Sequence, residues 1–196
     1  MKKFSYHHGN LKQAIINEAL KLLNQNNEKN FSFRNISRNI GVVSSAPYNH
    51  FKDKKDLLNE LIIVGENKLL ESLMKEKKKA FVPSEQLLML AKAYLKFAIE
   101  EKALFDLMFA QKNKDLLYLT DKIVLQFEMV ISDKFKSGKR AKVTEKGSAI
   151  TAWTMIHGLA SIINKTNDRL VEQVLQMKLD DIFKEMTAIW GKGVNN

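Results

Sequence analysis

The chain has no cysteine in its 196 residues. That excludes disulfides, Cys-ligated zinc, iron–sulfur clusters and a thiol nucleophile together. Proline occurs 2 times and glycine 8 times, where average usage would give roughly 10 and 14. So few breakers beside abundant Leu, Ile, Lys, Glu and Met exclude a many-turned all-β architecture and predict long helices. A long apolar run is missing too. The longest, residues 149–163, is interrupted by Thr151, Thr154, His157, Gly158 and Ser161. It falls short of the about 20 apolar residues that span a bilayer, so it reads as a buried core helix. The opening Met1-Lys2-Lys3-Phe4-Ser5-Tyr6-His7-His8 carries no apolar segment of the secretory type. A soluble, cytoplasmic protein with no membrane partner is expected.

What is present is positive charge, unevenly spread. Lys plus Arg number 32 against 22 Asp plus Glu, a net +10. Residues 1–56 hold ten positive and four negative side chains, a net +6, which leaves +4 for the remaining 140. A lysine-rich solvated surface and a phosphate-neutralising module both fit such an excess. The local pattern has to separate them.

Apolar spacing predicts an all-α chain. Leu11, Ile15, Ala19, Leu22 and Leu23 mark a helix over about 9–26. Ser32 is placed to cap a short helix over 33–40, with Gly41 as its left-handed terminator. Ser44 and Ser45 can each cap a third short helix ending near Phe51, with Pro47 in its first turn. Asp53 and Asp56 form a capping-box-like start for a long helix to about Lys78. Pro83 marks the boundary, with Ser84 placed to cap the next helix. Helices are expected over about 84–100, 102–110, 115–136, 144–166 and 169–190. The domains read as a basic arm over 1–8, a helix-turn-helix unit over 9–68 with its motif at about 32–51, and a bundle over 84–192.

Two short helices joined by Ile40-Gly41-Val42-Val43-Ser44 satisfy the tight, Gly-containing turn of a helix-turn-helix. In that unit the second helix enters the major groove with its N-terminal residues at base edges. Ser44, Ser45, Ala46, Tyr48 and Asn49 suit base edges, while Tyr48, His50 and Lys54 suit phosphates. Arg34, in the first turn of the second helix, is a phosphate candidate, and Ser32 and Pro47 complete the set.

The run Ser32-Phe33-Arg34-Asn35-Ile36-Ser37-Arg38-Asn39-Ile40-Gly41-Val42, then Ala46-Pro47-Tyr48-Asn49-His50-Phe51-Lys52-Asp53-Lys54-Lys55-Asp56-Leu57, resembles the DNA-binding domain of TetR-family transcriptional regulators. Tyr6-His7-His8-Gly9-Asn10-Leu11, Ala103-Leu104-Phe105-Asp106-Leu107-Met108-Phe109 and Trp153-Thr154-Met155-Ile156-His157-Gly158 resemble the branch of that family with a Trp…His-Gly signature in its ligand domain. Two positions depart. Val43 stands where the family commonly has Ser, and Asn49 where this branch often has Arg. Asn49 loses a charged contact and gains the ability to bond adenine in bidentate fashion.

The resemblance implies an N-terminal three-helix DNA-binding domain linked by a long helix to a C-terminal ligand-binding and dimerisation bundle. Met89, Phe97, Phe105, Met108, Phe109, Trp153 and His157 are the pocket candidates. Core packing is the competing reading for each of them, and a pocket built from several would take an apolar or aromatic molecule. The stripe Val171, Val174, Leu175, Leu179, Ile182, Phe183, Met186, Ile189 and Trp190 is too apolar for a terminal surface helix. With the 149–163 segment it predicts a four-helix homodimer interface carried by Val171, Leu175, Leu179, Ile182, Phe183, Met186 and Trp190.

His7 and His8 have no third ligand at metal-site spacing, so no metal and no cofactor beyond a small-molecule effector is expected. No nucleophile–base pair, phosphate loop or H-E-x-x-H run is present, which argues against an enzyme. The expected function is a homodimeric, ligand-released repressor on a (pseudo)palindromic operator, in a prokaryotic cytoplasm. An activator or ligand-independent regulator of the same fold, and a helical adaptor or membrane-surface protein, are the alternatives.

Overall fold

A computed structural model describes residues 10–25, 31–110, 116–135, 143–166 and 168–195. The basic arm over 1–8, with its two histidines, lies outside the described residues. The described residues are helical, with no strand among them. In chain order the elements are α1 (Leu11–Asn24), α2 (Phe33–Ile40), a 3₁₀ turn (Ala46–Asn49), α3 (Lys54–Lys77), α4 (Pro83–Glu100), α5 (Lys102–Met108), α6 (Leu116–Phe135), α7 (Glu145–Lys165), α8 (Asp168–Leu175) and α9 (Leu179–Asn195). The all-α reading and most of its boundaries stand.

Local chemistry explains where the elements start and stop. The Ser32 hydroxyl accepts from the Asn35 amide at 3.3 Å, and Gly41 ends α2 with φ +76°. The Asp53 carboxylate accepts from the Asp56 amide at 2.8 Å, while Asp56 accepts from the Lys52 amide at 3.0 Å, a reciprocal cap that fixes the entry into α3. Thr144 caps α7 by accepting from the Gly147 amide at 3.0 Å.

Three expectations change. Ser84 caps nothing at the start of α4: Pro83 is its first residue and Val82, which has no side-chain acceptor, precedes it. The third helix is a single 3₁₀ turn, because its amide bonds run from Tyr48 to Ser45 and from His50 to Pro47. The helix over 169–190 is two helices. Gln176 turns left-handed at φ 52°, and Glu172 reaches across the break to accept from the Leu179 amide at 2.9 Å and Lys178 Nζ at 3.0 Å.

Packing is organised around α3 and α4. Leu57, Leu61, Gly65, Leu69 and Leu73 are the buried residues of α3. One apolar cluster includes Ile15, Ile36 and Phe51 of the first elements as well as Tyr94, Phe127 and Phe183 far along the chain. α4 touches α3, α5, α6, α7 and α9, and α5 touches α1, α3 and α4. α5 seats closely because α3 has no side chain at Gly65: a Cβ there would lie 2.5 Å from Met108 Sδ and 2.9 Å from Leu104 Cγ.

Candidate nucleic-acid interface and effector site

The helix-turn-helix presents its polar residues outward on an apolar base. Ile36 and Phe51 are buried, and Ala46 and Pro47, two of the predicted contact residues, are buried with them at the base of the 3₁₀ turn. Ser44, Ser45, Tyr48, Asn49 and His50 are exposed. Neither Ser44 nor Ser45 caps the turn by a side-chain bond, so among the described residues their hydroxyls are free for an external partner. The Tyr48 ring meets Phe33 edge-on, with centroids 4.9 Å apart at 87°, which directs an exposed phenol from a fixed base. Ser32, half-buried, spends its hydroxyl on the α2 cap, so its part is to place Arg34.

Charge pairing separates the two sides of this unit. On α1, Lys12 pairs with Glu60 at 2.8 Å and Lys21 with Glu18 at 3.3 Å. Arg34, Arg38, Lys52, Lys54 and Lys55 are exposed and make no ion pair among the described residues. Lys54 Nζ instead sits 5.1 Å from the centroid of the Phe31 ring, which holds its ammonium beside the turn. These five cations, set against the two exposed carboxylates of Asp53 and Asp56, leave the unit net positive beside five exposed polar side chains, a surface suited to phosphates.

In the C-terminal half the predicted pocket residues separate. Phe105, Phe109, Trp153 and His157 come together, with Tyr94 as a fifth member that sequence reading missed. The imidazole stacks on Trp153 at 5.1 Å and 25°, and lies 4.6 Å from Phe109 and 5.7 Å from Phe105. Tyr94 Oη is 2.8 Å from His157 Nδ1, and Ser161 Oγ is 3.5 Å from Nε2. Burial pushes the Tyr94 phenol up and the His157 imidazole down from its ordinary 6.5, so both are neutral at neutral pH. A neutral phenol and a neutral imidazole share one hydrogen bond at Nδ1, and Nε2 faces the Ser161 hydroxyl. Met108 fills the notch at Gly65, Phe97 borders the cleft between α3 and α4, and Met89 is half-buried outside the cluster.

The cavity lies one helix face away. It is lined by Leu87 and Ala91 of α4, Phe127 of α6, Ala152, Met155 and Ile156 of α7, and Met186 and Thr187 of α9. The space in it open to the centre of a water molecule is about 30 Å³, so a larger guest would have to part the α7 and α9 side chains. None of the seven predicted pocket residues lines it. The spacing correctly put Trp153 and His157 on one face of α7, but it could not tell which of two neighbouring faces borders empty space.

The predicted dimer stripe is also redistributed. Val171, Ile182 and Phe183 are buried within the single chain, Met186 lines the cavity and Leu179 is half-buried, because α8 and α9 complete the core against α4 and α7. Leu175 is exposed, and the Trp190 side chain lies outside the described residues. Exposed apolar side chains remain at Ile150 and Ile162 of α7, Leu170 of α8 and Ile189 of α9. No helix among the described residues is long and apolar enough to cross a membrane.

Two family profiles match this arrangement. Residues 15–61 match that of bacterial regulatory proteins of the tetR family, and residues 87–188 that of the tetracyclin repressor-like C-terminal domain. The chain belongs to the TetR family. It is a transcriptional regulator with an N-terminal DNA-binding domain and a C-terminal ligand-binding domain. No curated protein matches the regulator significantly in sequence. Among solved structures, a protein of unknown function from Rhodococcus sp. RHA1 shares the fold at a TM-score of 0.83 and 21% identity, covering 99% of this chain and 100% of that one. FadR from Bacillus subtilis, solved in complex with stearoyl-CoA, matches at a TM-score of 0.69 and 15% identity, over 93% of this chain and 99% of its own. PfmR from Thermus thermophilus matches at a TM-score of 0.65 and 16% identity, over 93% of this chain and 99% of its own.

Proposed function

We propose that the regulator is a homodimeric repressor that occupies a (pseudo)palindromic operator in the cytoplasm and leaves it when an uncharged, apolar small molecule enters the C-terminal domain. The observation that carries the reading is the set of five unpaired cations around the exposed Ser44, Ser45, Tyr48, Asn49 and His50. Two such units, one per protomer, would read successive major-groove half-sites and exclude the transcription machinery by occupancy.

The cavity lining supports the effector class. It contains no charged side chain, and the one hydroxyl, Thr187 Oγ1, is already donated to the Phe183 carbonyl at 2.8 Å. An aliphatic or aromatic body carrying no charge inside the cavity fits such walls. The FadR neighbour was solved with stearoyl-CoA, whose acyl chain would suit such walls and whose phosphates would not. The Trp153…His157-Gly158 run supports membership of the branch that it resembles, with Trp153 and His157 as wall-builders behind the cavity.

Release requires the effector to favour one conformation energetically. The route runs through α7, which borders both the cavity and the aromatic cluster, to α5, which holds Phe105 against that cluster and touches α1 and α3. Dimerisation through the exposed apolar positions of α7, α8 and α9 would put the same helices at the subunit interface. The test is fluorescence anisotropy on DNA selected from a random duplex pool, with and without medium-chain alcohols or aromatic hydrocarbons. Saturable, sequence-selective binding that such compounds weaken supports the reading; binding of equal strength to every duplex overturns it.

A further inference from the structure

Val43 is an apolar side chain at the tip of the reading face. It is 70% exposed, between the left-handed Gly41 and the 3₁₀ turn, and its carbonyl accepts from the Ala46 amide at 3.0 Å. The backbone on either side is thus tied down, and a β-branched side chain has few rotamers with which to fold away. Its neighbours Ser44, Ser45, Tyr48 and Asn49 are exposed and polar. A single exposed valine on a free surface needs no account. On a face that closes against DNA it does, because water is squeezed out around it and its new neighbour decides whether that is favourable.

Phosphate oxygens and polar base edges give a valine nothing to bond. In the major groove the apolar group that base edges display is the C5-methyl of thymine. We infer that Val43 packs on a thymine methyl in each operator half-site and so makes one A·T pair a determinant of specificity. Asn49, exposed on the same turn, has the amide that bonds adenine N6 and N7, so the two side chains favour an A·T-bearing half-site by different chemistry. The inference rests on the DNA-binding reading above and adds to it a residue that sequence analysis had placed outside the contact set.

Deoxyuridine differs from thymidine by that methyl alone. The full-length regulator is used to enrich a binding site from a random duplex pool, and the site is resynthesised with deoxyuridine at each thymine in turn. One thymine per half-site should then show binding weakened about three- to fivefold, the scale of one buried methyl group. Val43→Ser should lose this sensitivity at that thymine while keeping the response to changes elsewhere in the site, and Val43→Ala should retain part of it. Circular dichroism confirms that both variants are folded. Enrichment of a site at which no thymine responds, or a Val43→Ser protein that still responds at the same thymine, overturns the inference and leaves the regulator's DNA binding standing. A pool with no enriched sequence removes both.

Discussion

Tyr94 and His157, on α4 and α7, meet through a 2.8 Å hydrogen bond inside a ring of Phe105, Phe109 and Trp153. The bond joins two helices that also border the cavity. Tyr94→Phe keeps the ring and removes the hydroxyl, leaving Nδ1 without its partner. The expected cost is about 1–3 kcal/mol, the penalty for an orphaned polar group, read as a lower urea midpoint at unchanged slope.

The same imidazole predicts a pH dependence. Burial lowers its folded-state pKa below the ordinary 6.5. The unfolded chain therefore takes up a proton at a higher pH than the folded one. Stability from this source is complete above about pH 7.5 and falls as pH drops through about 6.5 toward the folded value. His157→Gln should flatten that limb of the curve. An unchanged acid limb in urea titrations from pH 8 to 5 would show that another group is responsible.

The α5 seat gives a packing test. Gly65→Ala gains about 1 kcal/mol of helix propensity but forces a Cβ against Leu104 and Met108, and overpacking of this kind costs about 1–3 kcal/mol. A net loss of stability is expected in the parent. In a Met108→Ala background the obstruction is smaller, so the same change should become neutral or stabilising. A double-mutant cycle with additive energies would reject the close fit.

Pairing within the helix-turn-helix distinguishes its lysines. Lys54→Ala and Arg34→Ala remove unpaired cations and should lower the log K against log [salt] slope by about 0.9 for each phosphate no longer neutralised, on every DNA sequence alike. Lys12→Ala, which breaks an ion pair with Glu60 at 2.8 Å, should leave the slope unchanged. Tyr48→Ala should weaken binding while sedimentation still reports the parent's assembly state.

The proposed assembly is tested at Ile162 and Ile189, which are 56% and 63% exposed on α7 and α9. Replacing either by Glu should convert dimers to monomers in sedimentation velocity with the helical circular dichroism intact. Dimers that persist in both variants would place the interface elsewhere.

What was legible in the sequence depends on the range of the forces involved. Ser32, Gly41 and Asp53 act within three or four residues of themselves, so their caps and terminator could be read directly, and with them the helix-turn-helix. The break at Gln176 depends on the Glu172 carboxylate folding back on a later amide, which periodicity does not encode. The 3₁₀ geometry at Ala46–Asn49 reflects how Ala46 and Pro47 are pulled into the core, again a matter of tertiary contact. Val171, Ile182 and Phe183 show the general limit: an apolar stripe announces that it will be covered, and only the fold says whether by its own chain or another.

The buried residues of α3 recur every four positions from Leu57 to Leu73. A helix completes its turn in about 3.6, so the line advances about 40° at each step and winds about 160° around the rod from one end to the other. The flank of α3 that is covered near Leu57 is thus nearly opposite the flank that is covered near Leu73. A helix covered in this winding way resists being turned about its own axis at one end alone, so any rotation of α3 would be carried along its whole length.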